Sequence, residues 1–301
     1  IEPDAYEALR IMPQSFILSS SRSGYRHYYE YSYSGALIRQ ITSGDYDVTA
    51  LSGYDADSQT YYMQSCRNGA VNRTLSSIDR KGQIKDISPA QGFASAIFSP
   101  NAKYYLESYS SLSQAPSYIL KSAKGKEIKN FGDNTAYAQQ YASLPRQELS
   151  TVEVNGVKLN VILVKPANMS PGKKYPLIIN QYSGPGSQEV LDRWSPDWTR
   201  YFATQGYAVA TIDPHGTGGR GRAFMDAVYC KLGITETSDL VAAAKALAAT
   251  DWIDADRIGI YGWSYGGYEA LMCATAPQSP FKATVAVAPV TDWRYYDTAY
   301  T

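Results

Sequence analysis

The feature that most constrains this chain is the run Gly262-Trp263-Ser264-Tyr265-Gly266-Gly267, which matches the pattern G-x-S-x-G. It follows Arg257–Tyr261, whose apolar residues predict a strand, and it precedes Tyr268–Ala276, which predicts a helix. A serine in this position sits on a sharp strand-to-helix turn, where a side chain at the flanking glycines would collide with neighbouring backbone. The pattern therefore predicts a strand–turn–helix unit that exposes the Ser264 hydroxyl, and it makes Ser264 a candidate nucleophile. An ordinary serine in a glycine-rich loop is the alternative.

The chain from Thr151 onward alternates between strand-like and helix-like stretches. Val152–Pro166 predicts a hairpin that turns at Asn155-Gly156, a dipeptide typical of tight two-residue turns. Apolar strands separated by helices indicate a mostly parallel sheet with helices on both faces. Together with the Ser264 turn, this pattern predicts part of an α/β-hydrolase fold, the N-terminal part of a catalytic domain over residues 151–301. The predicted strands are Tyr175–Asn180, Tyr207–Ile212, Arg257–Tyr261 and Ala283–Ala288, and the predicted helices are Thr199–Gln205 and Ser238–Thr250.

The first half of the chain repeats a β-rich unit. A turn glycine followed by a strand-like stretch recurs at Gly35, Gly82 and Gly125, at spacings of 47 and 43 residues. A second marker keeps the same period, since Tyr61-Tyr62 is followed by Tyr104-Tyr105 after 43 residues. A period of about 40–50 residues with several strands per unit is typical of β-propeller blades. The sequence therefore predicts the C-terminal part of an all-β propeller domain over residues 1–150, with an unrelated β-rich domain as the alternative.

The composition argues against several kinds of partner. Lys+Arg and Asp+Glu both number 28, so the zero net charge gives no electrostatic reason to expect a nucleic acid. No apolar run approaches the roughly 18 residues of a membrane-spanning helix, and the first residues lack the pattern of a signal peptide. The three cysteines have no C-x-x-C spacing and no nearby histidine pair, so no zinc site is predicted. We expect neither a metal nor a cofactor.

Several long motifs in the second half match one known family in their order and spacing. They are the Ser264 motif, Tyr175–Gln188, Asp213–Gly221, Val287–Val290 and Trp293–Asp297. On these residues the chain resembles the dipeptidyl peptidase IV branch of the prolyl oligopeptidase family. The resemblance covers all of residues 151–301 and extends more weakly through the tyrosine-rich first half, where that family has a β-propeller.

The resemblance implies a serine exopeptidase that releases Xaa-Pro or Xaa-Ala dipeptides from peptide N-termini through an acyl-enzyme on Ser264. It also implies an oxyanion hole built from the Tyr182 hydroxyl and the backbone N–H of Tyr265. Fixed donors of this kind stabilise the charge that develops on the carbonyl oxygen of the tetrahedral intermediate. The alternative for Tyr182 is a surface tyrosine in a tyrosine-rich chain.

The resemblance further implies a proline-binding pocket close to Ser264. Its three aromatic positions are spaced at i, i+3 and i+7, which predicts one face of a helix. Such a stripe alone is more often plain core, but beside a nucleophilic serine an aromatic box would suit a flat pyrrolidine ring. The substrate-binding residues implied are Tyr265, Val290, Trp293, Tyr296 and Tyr300.

The chain lacks a residue that could activate the serine. Hydrolases of this fold place their acid and then their histidine after the nucleophile, yet none of the 37 residues after Ser264 is a histidine. Asp292 and Asp297 follow too closely to serve as the acid, and His215 is interpreted as a loop residue. We expect the triad Asp and His beyond residue 301, in a longer enzyme. A catalytically dead hydrolase that serves as an interaction protein is the alternative from another class.

The implied partners are peptides with Pro or Ala at the second position, and a homodimer is left open as the assembly. The family recognises the substrate amino terminus with a pair of propeller glutamates, and no Glu-Glu pair occurs in this sequence. A prolyl tripeptidyl peptidase or an acyl-peptide hydrolase of the same family therefore stays open beside dipeptide release. The resemblance implies a periplasmic or extracellular location.

Overall fold

The computed structural model describes residues 9–297 of the chain, which forms two compact units. The first unit ends at Gln140 and also includes the short segments Leu191–Trp194 and Gly219–Ala223. The second comprises Tyr141–Val190, Ser195–Gly218 and the residues from Phe224 onward.

Over residues 9–140, the first unit contains three four-stranded antiparallel sheets, and in each of them the strands pair in chain order. The repeated glycines Gly35, Gly82 and Gly125 lie between the third and fourth strands of successive sheets, with φ of 86°, 80° and 84°. Glycine adopts positive φ without a steric penalty, so a glycine recurs at this turn in each sheet. One repeat of the sequence therefore corresponds to one sheet. The strands are β1 Arg10–Ile11, β2 Ser15–Ser20, β3 His27–Ser32, β4 Leu37–Gln40, β5 Val48–Asp55, β6 Thr60–Ser65, β7 Thr74–Ile78, β8 Ile84–Asp86, β9 Phe93–Phe98, β10 Tyr104–Ser111, β11 Gln114–Ser122 and β12 Glu127–Asn130.

The repeated tyrosines lie on the second strand of their sheets, where they fill the space between neighbouring sheets. The ring of Phe98, at the end of β9, stacks on Tyr62 of β6 at 4.5 Å and on Tyr105 of β10 at 4.9 Å. Both tyrosines are buried. Aromatic rings bury a large apolar area and favour offset stacking, which accounts for their recurrence with the period of the sheets.

A six-stranded mixed sheet forms the centre of the second unit, in the order β13-β14-β16-β15-β17-β18. The hairpin β13–β14 turns at Asn155-Gly156 with φ of 51° and 79°, as the dipeptide predicts. The pairs β16–β15, β15–β17 and β17–β18 are parallel, whereas β14–β16 is antiparallel. The strands are β13 Gln147–Val154, β14 Val157–Val164, β15 Tyr175–Asn180, β16 Ala208–Asp213, β17 Ile253–Trp263 and β18 Ala283–Val287. The expected boundary at residue 150 falls inside β13, whereas the second unit begins at Tyr141.

Helices pack on both faces of this sheet. Leu177 and Ile179 of β15 join a buried apolar core with Leu240 and Ala270, which lie on the two longest helices. Side chains alternate along a strand, so Tyr261 faces the other side of the sheet from Ile260, and there its ring meets Trp198 at 5.0 Å. The helices are α1 Thr135–Gln139, α2 Trp198–Thr204, α3 Arg222–Met225, α4 Thr235–Ala248 and α5 Tyr265–Thr275, with 3₁₀ turns at Asp226–Val228 and Trp293–Tyr295.

Across residues 9–297, none of the helices is long and apolar enough to cross a membrane.

Candidate active site

Ser264 lies on the sharp turn between β17 and α5. Its φ of 58° and ψ of −115° are costly for a residue with a side chain, and such angles persist only where the surroundings impose them. The backbone N–H of Ser264 donates to the carbonyl oxygen of Val287 at 2.9 Å, which ties the turn to the end of β18. Ser264 is the N-cap residue of α5, yet its side chain makes no capping hydrogen bond. An N-cap serine usually accepts a hydrogen bond from the backbone of its helix, but the Ser264 hydroxyl does not.

The three glycines around Ser264 allow backbone segments to approach one another. A Cβ at Gly266 would lie 2.6 Å from the carbonyl oxygen of Gln181, and one at Gly267 would lie 2.8 Å from that of Val287. A Cβ at Gly262 would overlap the carbonyl oxygen of Gly266. Because these neighbours are main-chain atoms, they cannot rotate away as a side chain would. The glycine spacing in the sequence thus reflects direct contact of the turn with two neighbouring chain segments.

The register of the sheet brings three chain segments to the same edge. Asn180 is paired with Tyr261, and Trp263 is paired with Val287, so β15, β17 and β18 end almost level. Ligands bind at this carboxyl edge in open α/β sheets. Tyr182 follows β15 by two residues, and Val290, which is half-buried, follows β18 by three.

Gln181 joins the segment after β15 to the Ser264 turn, a role that sequence analysis did not identify. Its Nε2 donates to the carbonyl oxygen of Gly266 at 2.8 Å, and its Oε1 accepts from the Ser183 hydroxyl at 2.7 Å. Gln181 and Ser183 are both buried, and Ser183 has a φ of 65°. This network holds the backbone on either side of Tyr182. A glutamine directly after a buried strand was the only signal in the sequence.

Aromatic rings form a continuous cluster beside the turn. The ring of Tyr265 lies 6.2 Å from Tyr182, 5.6 Å from Trp293 and 5.6 Å from Tyr268, measured between centroids. The ring of Tyr296 meets Trp293 edge-on at 5.8 Å. The structure thus brings four of the sequence-predicted residues, Tyr182, Tyr265, Trp293 and Tyr296, into one cluster. It adds Tyr268, one helical turn after Tyr265, while Tyr300 lies outside the described residues.

The expectation that the pocket aromatics share a helix face is wrong for the part of the segment that the structure describes. Trp293–Tyr295 is a single 3₁₀ turn, and it ends at Tyr296, whose ψ of 177° is extended. The Asp292 side chain starts the turn by accepting from the Arg294 N–H at 3.0 Å. Trp293 and Tyr296 still meet, because a 3₁₀ turn has three residues per turn and places i and i+3 on the same side. The i, i+3 spacing was informative although the helix type was not.

Two buried carboxyl groups lie behind the Ser264 turn, and sequence analysis did not single out either of them. The Tyr265 hydroxyl donates to Oε1 of Glu236, in the first turn of α4, at 2.7 Å. Glu269 lies one turn after Tyr265 on α5, and its Oε1 contacts the Thr237 hydroxyl at 2.6 Å. Both carboxyl groups are fully buried. Burial raises the pKa of Glu236, and burial together with the nearby charge of Glu236 raises the pKa of Glu269 to about 7.

Each of the two histidines is bonded to groups of its own unit other than Ser264. The ring of His215 stacks on Phe224 at 4.5 Å, and its Nδ1 lies 2.6 Å from Oδ2 of Asp239. The same carboxylate oxygen accepts from the backbone N–H of His215 at 2.9 Å. His27 belongs to the first unit, where it contacts Thr42 and Gly44. His215 therefore has the structural role in its loop that the sequence indicates.

Two family models match separate parts of the chain. The model for the dipeptidyl peptidase IV N-terminal region matches residues 5–116, and the model for the prolyl oligopeptidase family matches residues 194–301. The chain belongs to the dipeptidyl peptidase IV branch of the prolyl oligopeptidase family. The first unit is accordingly part of a β-propeller, and the second is part of an α/β-hydrolase domain, so both predictions of fold class are confirmed.

Curated relatives from fungi match nearly the whole chain. A probable dipeptidyl peptidase 4 of Aspergillus flavus is 34% identical over 297 residues, which is 95% of this chain and 38% of the relative. A probable dipeptidyl-aminopeptidase B of Neurospora crassa is 36% identical over 273 residues, or 87% of this chain and 29% of the relative. The chain spans less than two fifths of the length of these relatives.

Two crystal structures share the fold at appreciable identity. Dipeptidyl peptidase 4 of Porphyromonas gingivalis matches 99% of this chain with a TM-score of 0.95 and 40% identity, over 43% of its own length. A putative dipeptidyl aminopeptidase IV from Bacteroides ovatus matches 96% of this chain with a TM-score of 0.83 and 28% identity, over 45% of its own length.

The contacts of Gly266 predict that it cannot be replaced. In the full-length protein, Gly266→Ala should lower the thermal unfolding midpoint and abolish labelling of Ser264 by a fluorophosphonate, because the added Cβ would force apart the turn and the Gln181 backbone. Gly259→Ala is the matched control, since a Cβ there would meet its nearest neighbour, the Ala283 carbonyl oxygen, at an ordinary 3.5 Å. Wild-type labelling of the Gly266 variant would contradict this account.

Proposed function

We propose that the full-length protein is a serine exopeptidase that releases Xaa-Pro or Xaa-Ala dipeptides from peptide N-termini. The observation that carries the proposal is the position of Ser264. It lies on a strained strand-to-helix turn, beside a cluster of rings that includes Tyr182, Tyr265 and Trp293. The fungal and bacterial relatives are named as dipeptidyl peptidases and aminopeptidases, which supports the same reaction class.

The reaction begins with attack of the Ser264 hydroxyl oxygen on the carbonyl carbon of the second substrate residue. A histidine from the rest of the protein takes the hydroxyl proton, and the carbonyl π electrons move to oxygen to give a tetrahedral oxyanion. The Tyr182 hydroxyl and the Tyr265 backbone N–H donate to that oxyanion. The bond to the leaving amine then breaks as the histidine returns the proton to its nitrogen. Water hydrolyses the resulting ester by the same steps and releases the dipeptide.

The rings of Trp293 and Tyr296, with Tyr265 and Val290, form the proposed pocket for the second residue of the substrate. Aromatic walls gain from burying an apolar pyrrolidine ring, at roughly 25 cal/mol per Å² of area removed from water. They offer a charged side chain no partner, so burying one there would be costly. A proline or an alanine side chain therefore fits, and larger or charged side chains are excluded.

We also propose a periplasmic or extracellular location and a homodimeric assembly, which the family resemblance supports. Detection of the protein only in the cytoplasmic fraction of its cell would contradict the location. A monomeric mass in solution for the full-length protein would contradict the dimer.

Ser264→Ala in the full-length protein should abolish turnover of a Gly-Pro anilide and labelling by a fluorophosphonate, while the unfolding midpoint stays near the wild-type value. Loss of the nucleophile in enzymes of this kind lowers kcat by about 10⁶-fold. The pair of measurements also tests the proposed enzyme against a dead hydrolase, in which the wild-type serine would not label. A variant that keeps a tenth of the turnover would remove Ser264 from the mechanism.

Tyr182→Phe should lower kcat for the same substrate by about 10²-fold, with a smaller change in KM, because the lost donor acts in the transition state. Tyr268→Phe is the control, since its hydroxyl already donates to the main-chain oxygen of Leu232 at 3.0 Å, and its loss should affect kcat far less. An unchanged kcat in the Tyr182 variant would exclude its hydroxyl from the oxyanion hole.

Tyr296→Ala should lower kcat/KM for a Gly-Pro anilide by about tenfold more than for a Gly-Ala anilide, since proline buries more apolar surface in the pocket. Tyr295→Ala is the matched control on the same turn, because that ring is 86% exposed whereas Tyr296 is 44% exposed. Equal losses on both substrates would mean that Tyr296 supports the local fold and does not select proline.

A further inference from the structure

A pair of carboxyl groups is buried where α4 crosses α5, directly behind the Ser264 turn. Glu236 on α4 and Glu269 on α5 are each 0% exposed, within helices that are otherwise rich in alanine and other apolar residues. Burying a carboxyl group is expensive unless it is hydrogen-bonded or neutral. The second oxygen of the Glu269 carboxyl group, Oε2, is buried without a hydrogen bond. The burial of two such groups therefore indicates a role other than packing.

The hydrogen-bond chain around Glu269 indicates that it carries the proton of the pair. The Thr237 hydroxyl lies 2.7 Å from the carbonyl oxygen of Gly233 and 2.6 Å from Oε1 of Glu269. A hydroxyl has one proton and a carbonyl can only accept, so Thr237 donates to Gly233 and accepts from a protonated Glu269. Because the pKa of Glu269 is about 7, this carboxyl group is protonated below neutral pH, as the direction of the hydrogen bonds requires.

Burial raises the pKa of Glu236, whereas the hydrogen bonds from Tyr265 and from the backbone N–H groups of Glu236 and Gly233 favour its ionised form. Two neighbouring carboxylates resist being ionised together, so the proton on Glu269 favours the charge on Glu236. The Tyr265 hydroxyl then donates a charge-assisted hydrogen bond to Glu236 Oε1 at 2.7 Å, stronger and more directional than a neutral one. This bond anchors the outer end of a ring whose faces and edges meet Tyr182, Tyr268 and Trp293.

We propose that Glu236 is a positioning residue of the peptidase site: by accepting from the Tyr265 hydroxyl, it fixes the ring that forms the inner wall of the proline pocket and so sets the preference for proline over alanine. This inference rests on the proposed function. Glu236 does not contact the substrate. It acts through Tyr265, whose ring contacts Trp293 and whose backbone N–H is one of the two proposed oxyanion donors.

The experiment measures kcat and KM of the full-length protein on Gly-Pro and Gly-Ala anilides for Glu236→Leu, Glu236→Gln, Tyr265→Phe and the double variant Glu236→Leu/Tyr265→Phe. The matched control is Asp239→Asn. Asp239 lies one turn further along α4 and is 1% exposed, but its carboxylate holds His215 and not Tyr265. Labelling of Ser264 with a small fluorophosphonate, which does not need the proline pocket, reports separately on the nucleophile.

Glu236→Leu and Tyr265→Phe should each lower kcat/KM for the Gly-Pro anilide by about tenfold, the effect of one hydrogen bond to a charged group, and should lower the Pro/Ala ratio by a similar factor. Glu236→Gln keeps an acceptor oxygen and should lose less. The double variant should be no worse than either single variant, because both changes remove the same bond. Asp239→Asn should leave the Pro/Ala ratio at its wild-type value.

A Pro/Ala ratio that stays within about twofold of wild type in Glu236→Leu and Tyr265→Phe would overturn the inference, as would additive losses in the double variant. If Glu236→Leu does not fold, Tyr265→Phe and Glu236→Gln decide the question, because both preserve the volume of the site. Failure of the proposed function gives a different result, since the wild-type protein would then not cleave the Gly-Pro anilide, whether or not Ser264 labels.

Discussion

The close approach of main-chain atoms around Ser264 is the constraint on which the rest of the site depends. The turn contacts the backbone after β15 through Gly266 and the backbone after β18 through Gly267, so three chain segments meet without intervening side chains. A serine with φ of 58° is unfavourable in isolation, and here the bond from its N–H to Val287 and the bridge from Gln181 to Gly266 hold it in place. The parallel strands of the sheet offset this conformational cost, because their register brings all three segments to one edge.

The helices behind the Ser264 turn are mainly apolar in composition, yet they bury polar side chains there. The alanine-rich α4 has the composition of a plain packing helix, and Leu240, Ala243 and Ala244 do pack in the core. Its first two turns nevertheless bury Glu236 and Asp239, one bound to Tyr265 and the other to His215. Residues that disfavour the local structure are expected at functional sites, and their free-energy cost is offset by interactions elsewhere. A single helix end thus holds both the Tyr265 ring and the loop that carries His215.

The sequence was informative wherever structure follows from short-range chemistry. The turn glycines of the first unit, the Asn155-Gly156 hairpin and the strand–turn–helix around Ser264 each depend on backbone angles that few residues tolerate, so the residues reveal them. It was less informative where contacts between distant segments decide the outcome. Gln181 and Glu236 gain their roles from partners 85 and 29 residues away in the chain. The aromatic stripe from Trp293 failed as a helix because a capping aspartate and an extended Tyr296 limit it to one 3₁₀ turn.

The two sides of the ring cluster differ in how firmly the structure holds them. The 3₁₀ turn with Trp293 and Tyr296 is stabilised by Asp292, whose ion pair with Arg294 lies at the surface, where the Arg294 side chain is 82% exposed. Exposed pairs of this kind contribute little, so this turn owes its position mainly to its ring contacts. Tyr265, by contrast, is 2% exposed, begins a helix and is bonded at its hydroxyl to a buried carboxylate. Trp293 packs against Tyr265 and Tyr268, and Tyr296 packs against Trp293. The Glu236–Tyr265 hydrogen bond therefore also helps to fix the positions of the rings on the surface turn.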